Sequence, residues 1–156
     1  MWMNLDMSEK SAIAIQCVSR LPHIPNERLF RKWIAAALLV PAKPAELTLR
    51  IVNAAEGRNL NSAFRGKDYA TNVLTFVYHE KKSKMLVGDL VLCAPIVARE
   101  AREQGKTLAA HYAHLTVHGI LHLAGFDHES EKEAKLMEAR EAKVLAALGY
   151  ANPYEN

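Results

Sequence analysis

The sequence predicts an α+β fold, with a sheet of about four strands packed with about five helices. Three observations lead there. Strand-like segments come early in the chain and helix-like segments dominate the end. The length of 156 residues suits one domain, and no internal repeat or linker divides it. Half of the residues are apolar and 24% are charged, a globular rather than a disordered composition.

The elements follow in order. Ser11 to Val18 is rich in Ala and Ile with partial alternation and reads as a strand, broken by Pro22 and Pro25. Asn26 can cap a helix over residues 27–40, with Leu29, Phe30, Trp33, Ile34, Ala37 and Leu38 on one face, and Pro41 and Pro44 end it. Leu47 to Val52 alternates apolar and polar, as a strand with one wet face does. Residues 54–63 suit a short helix, and Gly66-Lys67-Asp68 a turn. Val73 to Tyr78 and Leu86 to Cys93 read as strands joined like a hairpin through His79 to Lys84. Three helices follow. One runs from Pro95 to Gln104, with Gly105 closing it; one from Thr107 to about Ala124; and one opens on the capping box of Ser130 and Glu133 and ends at Gly149. Sequence order leaves open which strands run parallel.

Charge and cysteine content narrow the class. Twenty basic and 17 acidic residues leave a formal charge of +3, which neither demands nor excludes a nucleic-acid partner. The average hides an asymmetry. Arg20 through Lys67 holds nine basic against three acidic residues, whereas Glu129 to Glu141 holds five acidic against three basic. A basic half beside a metal site favours a polyanionic substrate, although no aromatic-interleaved RNA-binding signature is present. Cys17 and Cys93 form no disulfide framework and are expected to be buried, reduced thiols. Met1 to Asp6 has neither the basic nor the apolar stretch of a signal peptide, and the longest apolar run, Trp33 to Val40, is far too short for a membrane span. The expectation is a cytoplasmic protein without membrane association.

Five of the seven histidines lie between positions 111 and 128. On a helix, His118 and His122 stand at i and i+4 and point at one place in space, the bite of a two-histidine zinc helix. Gly125, three residues on, can take the left-handed conformation that ends a helix, so that the chain swings back and His128 supplies a third nitrogen. Three protein nitrogens and an open fourth position are the pattern of a catalytic zinc, although histidine ligation also admits nickel or other divalent ions. His114, one turn before His118, and Asp127, beside His128, are candidate helpers or substrate contacts. His23, His79 and His111 are read as background. The spacing is also that of metzincin proteases, but these place a glutamate base directly after the first histidine, where this chain has Gly119.

A second candidate site precedes the Val73 strand. Arg65 in a loop at a strand's mouth suits bidentate phosphate binding, with Lys67 and Arg58 as further candidate phosphate contacts.

The segment His118-Gly-Ile-Leu-His122-Leu-Ala-Gly125-Phe126-Asp127-His128 resembles the signature of the YbeY family of bacterial endoribonucleases. Two further blocks agree in order and spacing: Leu60-Asn61 through Phe64-Arg65-Gly66-Lys67-Asp68 to Thr71-Asn72-Val73-Leu74-Thr75-Phe76, and Gly88 to Cys93. The likeness runs from about residue 10 to Tyr154. Phe126 stands where tyrosine is common and Val77 where proline often follows, and neither position supplies a ligand. The resemblance implies one zincin-like domain with one Zn2+ on His118, His122 and His128, and Arg65 as the essential arginine. It further implies hydrolysis of single-stranded RNA in 16S rRNA 3′-end maturation, ribosome assembly and quality control, with the small ribosomal subunit and assembly GTPases as partners.

The chemistry expected is metal-assisted phosphodiester hydrolysis. No glutamate is placed as base, which leaves water on the metal, Asp127 and the RNA 2′-hydroxyl as candidates. The rivals are a metzincin-like peptidase without its glutamate and a non-enzymatic ribosome-assembly factor with a structural zinc.

Overall fold

The computed structural model describes residues 11–39 and 43–155. Met1 to Asp6, read above for targeting, and Val40 and Pro41, at the expected end of the first helix, lie outside them. Among the described residues there are four strands, β1 (Ala12–Cys17), β2 (Ala45–Val52), β3 (Val73–Val77) and β4 (Leu86–Cys93). Five helices accompany them: α1 (Glu27–Ala37), α2 (Ala54–Arg65), α3 (Ala94–Glu103), α4 (Leu108–Leu123) and α5 (Glu131–Ala147). The α+β class expected from the sequence holds.

The strands form one sheet in the order β1-β2-β4-β3. β1 and β2 run parallel, as do β2 and β4, while β3 joins β4 antiparallel as an edge strand. The parallel pairs enclose crossovers through α1 and, beyond β2, through α2 and β3. Side chains alternate between the two faces of the sheet. Leu47, Leu49 and Ile51 of β2 and Leu90 and Leu92 of β4 enter the main core with α1, α4 and α5. Val52, Val91 and Cys93 face the other way, into a small cluster with Leu60 of α2, Leu74 and Phe76.

Helix ends follow the local chemistry. The side chains of Asn26, Asn53, Thr107 and Ser130 each accept a hydrogen bond from the backbone N–H three residues on. α1 buries Phe30, Trp33, Ile34 and Ala37, and Phe30 meets Tyr112 of α4 edge to face at 5.6 Å. α4 is the central helix: its residues are buried apart from a half-buried first turn and a half-buried stripe of His114, His118 and His122, and it contacts α1, α3, α5, β3 and β4.

One expectation fails here. Cys93 is buried, but Cys17 is exposed. β1 is the other edge of the sheet, and Cys17 at its end projects past the layer that covers Ile13 and Ile15, with its thiol on the Ser19 carbonyl.

Candidate active site

The histidine site is built from the end of α4 outward. α4 stops at Ala124, and Gly125 has φ +106°. The Gly125 N–H donates to the His122 carbonyl at 3.0 Å and the Phe126 N–H to the Leu121 carbonyl at 3.1 Å, a Schellman closure with Phe126 packed on the core. This reversal carries Asp127 and His128 back over the helix end. One ligand atom from each of His122, Asp127 and His128 then lies within 4.8 Å of the others, a group that can hold a metal ion. His118 stands beside them, its ring 5.9 Å from that of His128, while the rings of His122 and His128 are 6.1 Å apart. Asp127 both enters the group and shapes the turn, because its Oδ1 accepts from the His128 N–H at 2.7 Å.

The electrostatics suit ligation. Burial pushes the His122 imidazole below its ordinary range, against the nearby Asp127 carboxylate, and the neutral ring is the form that binds metals. Behind the histidines sits Glu141 of α5, only 1% exposed. Its Oε2 accepts from His118 Nδ1 at 2.8 Å, and its Oε1 accepts from His114 Nε2 at 2.9 Å and from the Tyr154 hydroxyl at 2.5 Å. Burial opposes the Glu141 charge, but the hydrogen bonds from His114, His118 and Tyr154 outweigh it and hold the carboxyl down at about 2. An ionised carboxylate accepts only, so His118 Nδ1 carries a proton and Nε2 is the nitrogen left to face the site. A histidine triad with a half-buried carboxylate beside it and one ring oriented from behind is a donor set that fits a divalent cation.

The Arg65 segment is shaped by different contacts. Arg65 is the last residue of α2 and is exposed, and Gly66 ends the helix at φ +68°. Buried Asn61 donates to the Tyr69 carbonyl at 2.8 Å, and Asn72 donates to Glu100 of α3 at 3.0 Å, so both ends of the loop into β3 are held. Arg58, expected to face substrate, is instead forked onto Asp68 at 2.7 and 2.9 Å. Among the described residues, no side-chain hydrogen bond or ion pair engages Arg65 or Lys67 or joins them to the histidines. α2 lies on the opposite face of the sheet from α4, with edge strand β3 between the two groups.

Gly88 has no room for a Cβ, which would fall 2.7 Å from Leu123 Cδ2, so the glycine lets α4 lie close on β4. Asp89 accepts from the Tyr78 hydroxyl at 2.9 Å on the other face. The family model described as endoribonuclease YbeY matches residues 16–149. The chain belongs to the endoribonuclease YbeY family. The endoribonuclease YbeY of Nitrosomonas europaea is 52% identical over 149 residues, covering 96% of this chain and 88% of that one. The endoribonuclease YbeY of Aromatoleum aromaticum is 63% identical over 130 residues, covering 83% and 81%. A solution structure of TM1509 from Thermotoga maritima matches with a TM-score of 0.60 at 25% identity, covering 92% of this chain and 99% of that chain.

Two groups escaped the reading of the sequence. Glu141 counts there as part of an acidic surface helix, yet it shares the buried stripe of Met137, Val144 and Leu145 at helical spacing. An acid on an apolar stripe was the available signal. His111, read as background, is 2% exposed, with Nε2 2.8 Å from Glu100 Oε1.

Proposed function

We propose that this YbeY-family chain is a zinc-dependent endoribonuclease specific for single-stranded RNA, acting in 16S rRNA 3′-end maturation, ribosome assembly and quality control. The class of activity follows from family membership: an endoribonuclease, a hydrolase that cuts RNA. The observation that carries the finer reading is the meeting of His122, Asp127 and His128 within 4.8 Å at the end of α4, with His118 alongside. His118, His122 and His128 are the metal ligands in this reading. Its partners are the small ribosomal subunit and assembly factors, and it works in the cytoplasm as one domain. No described helix is long and apolar enough to cross a membrane.

A bound zinc ion supplies a Lewis acid for the phosphoryl group and water of lowered pKa. The chain's own residues do the rest. The ring nitrogens of His118, His122 and His128 are the donor atoms, and Glu141, which accepts from His118 Nδ1, leaves Nε2 of that ring to bind the ion. Arg65, exposed at the end of α2, is free to fork onto the phosphate of a strand laid over β3 and to offset charge that develops there. Lys67 adds a second positive charge just beyond the end of α2, whereas Arg58 stays on Asp68.

The peptidase rival lacks its base, and a Cβ added at Gly119 would overlap the buried Leu90 side chain, which would have to shift to admit one.

The deciding experiment combines elemental metal analysis with cleavage of a single-stranded RNA by wild type and Arg65→Ala. Zinc at one per chain with RNA cut, and casein left intact, supports the reading. Metal-free active protein overturns the zinc assignment. Product ends identify the nucleophile, since a 2′,3′-cyclic phosphate rules out direct attack by water as the cleaving step.

A further inference from the structure

Glu141 reaches the histidine site from a different helix, 23 positions after His118. It is 1% exposed and flanked on its stripe by Met137, Val144 and Leu145. Burying an acid there costs free energy that an apolar side chain of similar size would not incur. All of its contacts are with donors from one neighbourhood. His118 meets Oε2, and His114 and Tyr154 meet Oε1, with His114 Nε2 also 3.1 Å from the Tyr154 hydroxyl. The two oxygens thus divide the work. Oε2 is committed to one imidazole, and Oε1 is pinned by a second imidazole and a phenol.

We propose that Glu141 is the positioning residue of the metal site: its buried carboxylate fixes the ring and tautomer of His118 through Nδ1, while His114 and Tyr154 hold that carboxylate in place. The inference rests on the reading of His118 as a metal ligand. A ring nitrogen that donates to a carboxylate makes the opposite nitrogen a better ligand and removes its rotational freedom. The arrangement gives His114 a defined task two steps away from the metal. It also explains why the chain after α5 returns to place Tyr154 13 positions beyond Glu141. Glu141 touches neither substrate nor reacting atoms in this role and acts through His118.

The test is a zinc titration against a competing chelator on the full chain, together with nitrogen NMR of the metal-free histidines. In wild type, His118 is expected as the Nδ1–H tautomer. Glu141→Gln is expected to lose that preference and to bind zinc about 10–100-fold more weakly. Tyr154→Phe removes one of the two donors that hold Oε1 and leaves the Oε2 contact, so it is expected to weaken zinc binding by less than Glu141→Gln does. A folded Glu141→Gln protein with unchanged zinc affinity overturns the positioning role. Should Glu141→Gln fail to fold, the wild-type tautomer decides, and His118 protonated on Nε2 refutes the inference. Wild type that takes up no zinc refutes the metal reading itself, a result distinct from all of these.

Discussion

Gly119 packs directly against Leu90, so that a Cβ at position 119 would overlap the leucine side chain. Leu90 is 1% exposed and belongs to the main core. This contact seats α4 on β4 and turns His118 and His122 away from the sheet toward the partly exposed stripe of the helix. Gly119→Ala is therefore expected to destabilise the fold by about 1–3 kcal/mol, the usual cost of overpacking. Denaturant unfolding measures it, and an unchanged midpoint would show that the helix can lift off the sheet freely.

His122→Ala removes the ligand candidate that groups with Asp127 and His128 within 4.8 Å. The purified variant is expected to lose its zinc while keeping its circular dichroism spectrum. One zinc per chain in that variant, by elemental analysis, would take His122 out of the ligand set.

Arg65 stands on the other side of β3 from the histidines and carries no structural ion pair among the described residues. Arg65→Ala should keep both fold and zinc content. RNA cleavage should fall by about a hundredfold or more, the scale set by deleting one donor to developing charge. Unchanged turnover at saturating RNA would remove Arg65 from the chemistry.

His111 supplies a pH dependence. Burial pushes its imidazole below the ordinary histidine range, more than the Glu100 carboxylate raises it, with Lys106 and His114 adding to the downward push. A folded-state pKa below the unfolded value means that the unfolded chain takes up the proton first. The stability contributed by neutral His111 is complete above the unfolded pKa of about 6.5 and is lost as the pH falls below it. Unfolding free energy measured in metal-free protein should therefore decline from about pH 6.5 downward, and the decline should be shallower in His111→Gln. Equal slopes in the two proteins would show that His111 titrates alike in both states.

Much of the site was written in local sequence. Helical spacing alone brings His118 and His122 to one face, and glycine at 125 permits the reversal that returns His128, because both effects depend on neighbours within one or two turns. Element boundaries were legible for the same reason. Asn26, Ser130 and Gly66 act on their own helix ends, and β4 falls at Leu86–Cys93 as its β-branched and apolar content predicts. The exposure of Cys17 and the pairing of Arg58 with Asp68 were not legible, since each depends on where an edge or a loop lies relative to the rest of the fold.

By itself, then, the sequence determined the α+β class, the helix that carries the histidines and the turn that gathers them. Only the tertiary structure decided the strand order, with β3 antiparallel at the edge, and only it brought Glu141 and Tyr154 beneath His118. The physical reason is range: helix and turn chemistry acts over a few residues, whereas a buried carboxylate finds its donors through packing between helices that the linear order of residues does not specify.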